Sequence, residues 1–475
     1  MKKENPSPNT QQNILKKRLP VLIIAFVLCV VAAFAIGRIP KQTEDSPPAV
    51  TDPDNVQIQT EPPAKKAGWL YDHGGASFKI LVSEKERLTS FDGQIGPTVL
   101  SRAEYEEGKT LEFDLNLVIN EVVLADPVGY VIAAKAANEA DTADLLMLDL
   151  RVNTSSSQPT SSDLLSRGLL RDASRLEALR LDEAGFYTDV NASLSVCGGV
   201  YFVASDATAG FRDSLTGVAY NRGVLSGRED AIHSLVNEGR WTLDEMKALI
   251  KEAEANPLYT DSHEAVAWMM GMGASDALPT DSGFKVAIAD ENAVGLFRRM
   301  RDALYADVDE NAVVGTPGAV FEQVSVSEFA MMDKNLHGLL PLPKSDVSGE
   351  YRAFADCEQA TVSAITSFCA DPERSARVLS ELAVRSAALA EDYISDACRL
   401  DTKSAESLRL MMKNRAVSVI SVLGYPGVLE DACETLLLEK STDHEAFLKQ
   451  RSYFLEYAFE TIVSEIMKNT AANAN

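Results

Sequence analysis

The sequence lacks the motifs that mark the commonest catalytic and metal sites. It has no H-E-x-x-H motif, no paired Cys/His spacing, no P-loop and no G-x-S-x-G elbow. Its five histidines are scattered and poor in acidic or cysteine neighbours at ligand spacing. The glycine-rich stretch Gly271 to Ala277 lacks the third glycine of a phosphate-binding loop. We therefore predict a protein that is not an enzyme and holds no metal and no cofactor.

Cysteine and positive charge are also scarce. Of six cysteines, Cys29 lies in an apolar run, and the other five show no C-x-x-C spacing. An odd, sparse set argues against a disulfide scaffold and favours small buried apolar side chains. The chain has 70 acidic and 45 basic residues, which gives a formal charge of −25. Such a surface repels phosphate backbones, so we predict no nucleic-acid partner.

The N-terminal region carries a targeting signal. Residues 1–18 contain several basic side chains, and the apolar run Leu19 to Gly37 follows them. This run is close to the roughly 20 residues that span a bilayer as a helix. Basic residues on its N-terminal side predict a cytoplasmic tail, a transmembrane anchor at 19–37 and an extracytoplasmic C-terminal domain. The protein would then be a single-pass protein of the cell membrane.

Two alternatives to this anchor stay open. The Ala33 to Ala35 stretch, read "AFA", fits a signal-peptidase site after a short apolar core. Cys29 is a candidate for lipidation, although the bulky Leu28 precedes it. All three hypotheses export the rest of the chain.

A long polar segment separates the apolar run from the first folded stretch. Residues 38–67 are rich in proline, aspartate, threonine and glutamine, with too few apolar residues to build a core. We predict a disordered linker here. The folded domain would occupy residues 68–475.

Strand and helix patterns alternate in the first part of this domain. Apolar runs of strand length lie at Phe78 to Val82, Asp144 to Leu150 and Gly198 to Ala204. Leu111 to Ile119 alternates apolar and polar residues, which is also typical of a strand. Helical stretches such as Val128 to Ala140 separate these runs, so we predict an α/β domain. From about residue 214 onward, helices dominate the pattern.

The stretch "GRWTLDEMKALI", Gly239 to Ile250, has a clear helix start. Thr242 and Glu245 have the spacing of a capping box, in which each side chain bonds the other residue's N–H group. Trp241 and Met246 occupy the two positions of a hydrophobic staple. We therefore expect Trp241 to pack at the helix start and not to contact a ligand. Similarly, Asp371 and Pro372 have the positions of an N-cap and the first helical residue.

Four motifs then occur in an order that resembles a known family. They are "ADTADLLML" (Ala140 to Leu148), "GGVYFV" (Gly198 to Val203), "GRWTLDE" (Gly239 to Glu245) and "HGLLPLPKSD" (His337 to Asp346). With the stretches Ala370 to Ala387 and Glu406 to Tyr425, they resemble extracellular solute-binding proteins of bacterial ABC importers. The closest likeness is to the family-1, carbohydrate-type group of clostridia. The resemblance covers roughly residues 77 to 468.

The resemblance implies a two-lobe, periplasmic-binding-protein-like (type II) α/β fold with a ligand cleft between the lobes. The first lobe would comprise about 77–205 and 338–390, and the second about 213–336 and 391–470. Ligand binding in this family closes the lobes about a hinge. Loops at strand ends and the crossing segments would contact the solute.

These loops and segments supply most of the predicted ligand-binding residues. One tryptophan is added as a candidate platform for a sugar ring. The predicted residues are Glu84, Asp149, Arg151, Ser205, Asp206, Asp213, Trp268, Asp356 and Glu358.

The implied function is capture of a small solute, with carbohydrate as one candidate, for the permease subunits of an ABC importer. The protein would act as a monomer. Two departures from the family pattern are the poor lipidation motif at Cys29 and the scarcity of aromatic residues among the cleft candidates. They leave open an alternative, in which a degenerate solute-binding fold serves as a surface sensing or interaction module without transport.

Overall fold

The computed structural model describes residues 70–84, 86, 91, 97–139, 142–150, 159–253, 258–259, 262–302, 319–399, 401–438 and 443–473. Its strands are β1 (Ala76–Ser83), β2 (Leu117–Leu124), β3 (Leu145–Asp149), β4 (Thr216–Asn221), β5 (Leu258–Tyr259), β6 (Ala277–Thr280), β7 (Gly283–Val286), β8 (Phe321–Ser325), β9 (His337–Pro341), β10 (Ala353–Phe354), β11 (Thr361–Ala364) and β12 (Arg415–Ala416).

Helices surround these strands. They are α1 (Val99–Leu115), α2 (Pro127–Ala136), α3 (Ser161–Ser166), α4 (Thr188–Ser193), α5 (Ala209–Asp213), α6 (Glu229–Asn237), α7 (Leu243–Ala253), α8 (Ser262–Gly271), α9 (Glu291–Met300), α10 (Val326–Met331), α11 (Pro372–Ala388), α12 (Ala390–Cys398), α13 (Thr402–Met411), α14 (Val419–Val422), α15 (Pro426–Leu438) and α16 (His444–Asn473).

The first sheet has the strand order β11-β3-β1-β2. β1 pairs in parallel with both β2 and β3, and β11 runs antiparallel to β3, with Thr361 opposite Asp149. β1 and β3 are nearly continuous apolar runs because helices and loops cover both of their faces. The strands predicted at Phe78 to Val82 and Asp144 to Leu150 are therefore confirmed.

Two other strand predictions in this region are wrong. Residues 111–115 end helix α1, Asn116 caps it in the left-handed conformation at φ 47°, and β2 begins only at Leu117. The buried Leu111 and Leu115 are four residues apart, so the spacing that suggested alternation is also one helical turn. Residues 198–204 form single bridges, such as the one between Val203 and Ser363, instead of a regular strand.

A second sheet, with the order β5-β8-β4-β9, lies in the part of the chain where the pattern predicted mainly helices. β4 is the central strand, and it runs antiparallel to both β8 and β9. Gly217 pairs with Pro341 and Asn221 with His337, so β9 belongs to this sheet. The predicted return to the first lobe at residue 338 is therefore too early, because the chain rejoins the first sheet only at β11.

The helix start at Trp241 is confirmed as structural. Trp241 is fully buried, its indole N–H donates to the Pro341 carbonyl oxygen at 3.0 Å, and its ring packs 5.7 Å from that of Phe321. The Glu245 N–H donates to the Thr242 hydroxyl at 3.4 Å, which forms one half of the predicted capping box. The predicted start of α11 is confirmed as well, since the Asp371 carboxylate accepts from the Arg374 N–H at 3.0 Å.

The predicted tail, anchor and linker at residues 1–18, 19–37 and 38–67 lie outside the described residues. Among the residues that are described, no helix is both long and apolar enough to cross a bilayer. The five cysteines within the described part are free, and four of them are buried.

Candidate functional site

A pocket of about 210 Å³ lies where the second sheet meets the segments that lead back to the first. Thr216 begins β4, Gln323 to Ser325 end β8, and Phe354 to Gln359 connect β10 to β11. Because Thr361 pairs with Asp149, this last segment leads from the pocket to the carboxyl end of β3. The pocket thus lies at the carboxyl end of β8 and the amino end of β4, beside the segment that leads to the first sheet. We call it the cleft pocket.

The cleft pocket has a mainly polar lining. Its residues are Thr216, Ala267, Gln323, Val324, Ser325, Glu328, Phe354, Asp356, Glu358 and Gln359. Carboxylates, amides and hydroxyls surround the single aromatic ring of Phe354. Such a lining accepts and donates hydrogen bonds, which suits a polar, hydroxyl-bearing or amine-bearing small molecule.

Local hydrogen bonds fix the two rims of this pocket. The Glu358 N–H donates to the Asp356 carboxylate at 3.0 Å, and the Asp356 N–H donates to the Ser214 carbonyl at 3.1 Å. On the opposite rim, Ser325 and Glu328 form a capping box at the start of α10. Backbone N–H groups therefore hold one carboxylate on each rim in a defined orientation.

Gln323 is a pocket residue that the sequence analysis did not single out. Its side-chain oxygen is buried and has no hydrogen-bond partner among the described residues. A buried acceptor without a donor is costly, so a group that donates to it would be favoured. The only available signal was a polar residue near the end of a strand, which is too common to be informative.

The predicted residues at the ends of the first sheet lie outside the lining of the cleft pocket. Glu84 is exposed just after β1, and Asp149, at the end of β3, accepts a hydrogen bond from the Ser83 hydroxyl at 2.7 Å. Arg151 lies outside the described residues. Of the nine predicted residues, Asp356 and Glu358 line the pocket.

Three further predicted residues lie in the buried segment that crosses from the first sheet to the second. Ser205 is fully buried. Asp206 accepts from the Tyr187 hydroxyl at 2.6 Å, and Asp213 accepts from the Tyr393 hydroxyl at 2.7 Å. Arg212 stacks on the Tyr393 ring at 4.6 Å. We call Tyr187, Asp206, Arg212, Asp213 and Tyr393 the crossing cluster.

Burial controls the electrostatics of the crossing cluster. It raises the pKa of Asp213, while the Tyr393 hydrogen bond and the Arg212 charge act in the opposite direction. It also raises the pKa of Tyr393 far above the usual value, so this hydroxyl stays protonated and donates. Burial alone would lower the pKa of Arg212, but the surrounding acidic and phenolic groups raise it overall. The carboxylates of the cluster are paired with phenols, while the Arg212 Nε and Nη1 atoms are buried without a hydrogen-bond partner among the described residues.

Glu86 is a further carboxylate next to this crossing, and it is buried. It accepts from the N–H groups of Ala209 and Gly210 at 2.8 and 2.7 Å, and from the Thr361 hydroxyl. Burial raises its pKa to about 7, although those three hydrogen bonds oppose the shift. Glu86 thus ties the loop after β1 to α5 and β11.

Trp268 lies in the core. It is fully buried within α8, and its indole nitrogen has no hydrogen-bond partner among the described residues. Its neighbour Ala267 is the α8 residue that lines the cleft pocket. A stacking platform must present one ring face to the ligand, so in this structure Trp268 has a packing role.

Comparison with known proteins identifies the fold. No protein-family model and no curated protein match the sequence. Among solved structures, the cyclic alpha-maltosyl-1,6-maltose binding protein of Arthrobacter globiformis superposes with a TM-score of 0.52 at 16% identity, over 82% of this chain and 99% of that one. The sugar-binding protein MalE of Xanthomonas citri superposes with a TM-score of 0.50 at 11% identity, over 82% of this chain and 97% of that one. The chain has the two-lobe α/β fold of solute-binding proteins. At these identities the likeness establishes fold alone.

Proposed function

We propose that this protein is a solute-binding protein that captures a small polar solute in the cleft pocket. The observation that carries the proposal is the position of that pocket. It lies outside the carboxyl end of β8, beside the segment that leads to the end of β3, in a two-lobe fold. Binding energy would go into lobe closure, with no covalent step.

Asp356 and Glu358 are the proposed direct contacts, with Gln323 as an additional acceptor. Glu84, Asp149 and Arg151 follow strands of the first sheet, so we propose them as contacts of a solute larger than the pocket itself. Ser205, Asp206 and Trp268 are buried, and the half-buried Asp213 is bonded to Tyr393, so we assign these four residues no direct contact.

The finer parts of the proposal rest on sequence. Carbohydrate is the first candidate, because the motif order resembles the clostridial family-1 group and the lining bears carboxylates and amides. An ABC permease would receive the solute. The run Leu19 to Gly37 would anchor the monomeric protein in the cell membrane with its lobes outside the cell.

A second candidate function follows from the aromatic content of the pocket. Phe354 is the only ring among the described residues that line it, and that side chain is 6% exposed. A sugar-binding cleft ordinarily offers broad aromatic faces, so this observation favours a degenerate fold used for sensing or interaction at the surface.

A thermal-shift screen separates the two functions. The purified protein is heated with mono- and oligosaccharides, polyols, amines and short peptides. A solute present at 100 times its Kd should stabilise the protein by about 2.7 kcal/mol. A shift with one solute class supports capture, whereas a flat result across the panel supports the sensing module.

A further inference from the structure

The C-terminal helix α16 contacts elements of both lobes. It has 30 residues, so it is about 45 Å long, comparable to the width of a domain. On its middle turns, Phe459 packs edge-to-face on Phe284 with 5.8 Å between ring centroids. Val463 lies so close to Gly283 that a side chain at that glycine would come within 2.9 Å of it. Both partners belong to the β6–β7 hairpin, which lies in the predicted second lobe.

The last turns of α16 reach the first lobe. The Asn469 side-chain amide donates to the Ser166 carbonyl oxygen at 2.7 Å. Gly168 lies directly against the helix, since a side chain there would come within 2.7 Å of the Asn469 carbonyl carbon. Ser166 ends α3, so the carboxyl end of α16 meets the carboxyl end of α3.

α3 is attached to the cleft-facing end of the first sheet. The Ser161 hydroxyl donates to the carbonyl oxygen of Asp149, the last residue of β3. Leu164 and Leu165 are buried in the core. The helix therefore moves with the first sheet, at the side where its strands end.

A second element of the other lobe also approaches α3. Gly424 follows α14 and has φ 95°, and a side chain there would lie 3.4 Å from the Ser162 hydroxyl. α14 is tied to the second lobe, because Asp276 accepts from the Ser418 hydroxyl at 2.6 Å and from the Ile420 N–H at 3.0 Å. The predicted lobes thus touch at α3.

We propose that the last turns of α16 are a latch that holds the two lobes in the arrangement of this structure, which we call closed. The Asn469–Ser166 hydrogen bond and the close packing at Gly168 must separate before the lobes can open. This inference goes beyond the proposed function, because it concerns the lobe equilibrium of the protein without any solute.

The test is an interlobe distance measured on the full-length, detergent-solubilised protein. Spin labels are placed at Glu106→Cys on α1 and Asp244→Cys on α7, two exposed positions. Cys29 and Cys197 are replaced by serine, and the four buried cysteines are kept. Pulsed electron–electron double resonance without solute measures the distance between the two labels. The distance distribution then gives the closed and open populations.

Two substitutions at Asn469 break the latch to different degrees. Asn469→Ala removes the hydrogen bond, and Asn469→Asp places a carboxylate against the Ser166 carbonyl. Loss of one net hydrogen bond should raise the ratio of open to closed molecules about twofold to tenfold, with the larger change for the aspartate. Lys468→Ala, at the exposed neighbouring residue, should leave the ratio unchanged.

Either of two results overturns the latch. One is a distance distribution that is identical in the parent protein and both Asn469 variants. The other is an equal shift in the Lys468→Ala control. Because no solute is present, these results do not depend on whether the cleft pocket binds one.

Discussion

The cleft pocket and the crossing cluster both contain carboxylates, yet these carboxylates differ in their access to solvent. In the crossing cluster, Arg212 is 3% exposed and Asp206 is 7% exposed, and hydroxyl donors satisfy both carboxylates. In the cleft pocket, Asp356 and Glu358 are partly exposed, and the Glu358 N–H donates to the Asp356 carboxylate at 3.0 Å. A desolvated polar group must be paired inside the protein, so it stabilises the fold. A partly solvated one at a strand end can exchange water for a solute.

The largest expected effect is at Arg212. Replacement by leucine leaves the buried carboxylates of the crossing cluster without their cation, which should destabilise the protein by about 3–5 kcal/mol. Urea unfolding followed by circular dichroism measures the change. Arg102→Leu, at an exposed position on α1, is the matched control. Equal stability of the two variants would show that the cluster is not a structural core.

Glu86 should make stability depend on pH. Its pKa is about 7 in the folded protein, against an ordinary value of 4.5, so the folded state binds more protons between these values. Its contribution is therefore fully present below pH 4.5 and is lost as the pH rises through 7, a change of at most about 3 kcal/mol.

Glu86→Gln removes this titration. The difference in unfolding free energy between the parent protein and the variant should fall as the pH rises from 5 to 8. Parallel stability curves over that range would contradict the assigned pKa. Glu106→Gln, at an exposed carboxylate, should give parallel curves.

A smaller loss is expected from Tyr393→Phe. The substitution keeps the ring under Arg212 but removes the hydroxyl that donates to Asp213. A buried carboxylate that loses this donor should cost about 1–3 kcal/mol. Tyr457→Phe, at a side chain that is 73% exposed, should change the unfolding midpoint little. If both variants unfold alike, the hydrogen bond contributes nothing measurable.

The smallest effect on stability is expected in the cleft pocket. Gln323→Ala removes an acceptor that has no protein donor among the described residues, so stability should change by no more than about 0.5 kcal/mol. Affinity for the captured solute should fall about twofold to tenfold, the range for one neutral hydrogen bond. Calorimetric titration measures the affinity. Unchanged affinity with reduced stability would show that Gln323 stabilises the fold and does not bind the solute.

Local patterns predicted the first sheet better than the second. β1 and β3 are continuous apolar runs, and Trp241 has the helix-start chemistry that the structure confirms. The strand prediction for Leu111 to Ile119 was wrong because this stretch joins the end of a helix to the start of a strand. The apolar residues of the two elements together imitate the alternation of a single strand. β4 and β9 pair across more than a hundred residues, and no local periodicity encodes that pairing.

The residues of the cleft pocket were predictable only in part, because local sequence also does not encode tertiary packing. The resemblance places Asp356, Glu358, Asp206 and Asp213 on crossing segments, but it does not say which of them are buried. Tertiary packing decides this, because the hydroxyls of Tyr187 and Tyr393, which lie in other elements, donate to Asp206 and Asp213. Glu86 and Gln323 carry no informative sequence signal, since their importance lies in desolvation.

Binding of a solute to the cleft pocket is tested most directly by calorimetric titration of the solute found in the thermal-shift screen. The parent protein is compared with Asp356→Asn/Glu358→Gln and with the surface control Glu106→Gln/Asp244→Asn. We predict that the pocket double variant loses at least tenfold in affinity while the surface control binds as the parent protein does. Equal affinity in all three proteins would contradict the assignment of the cleft pocket as the solute site.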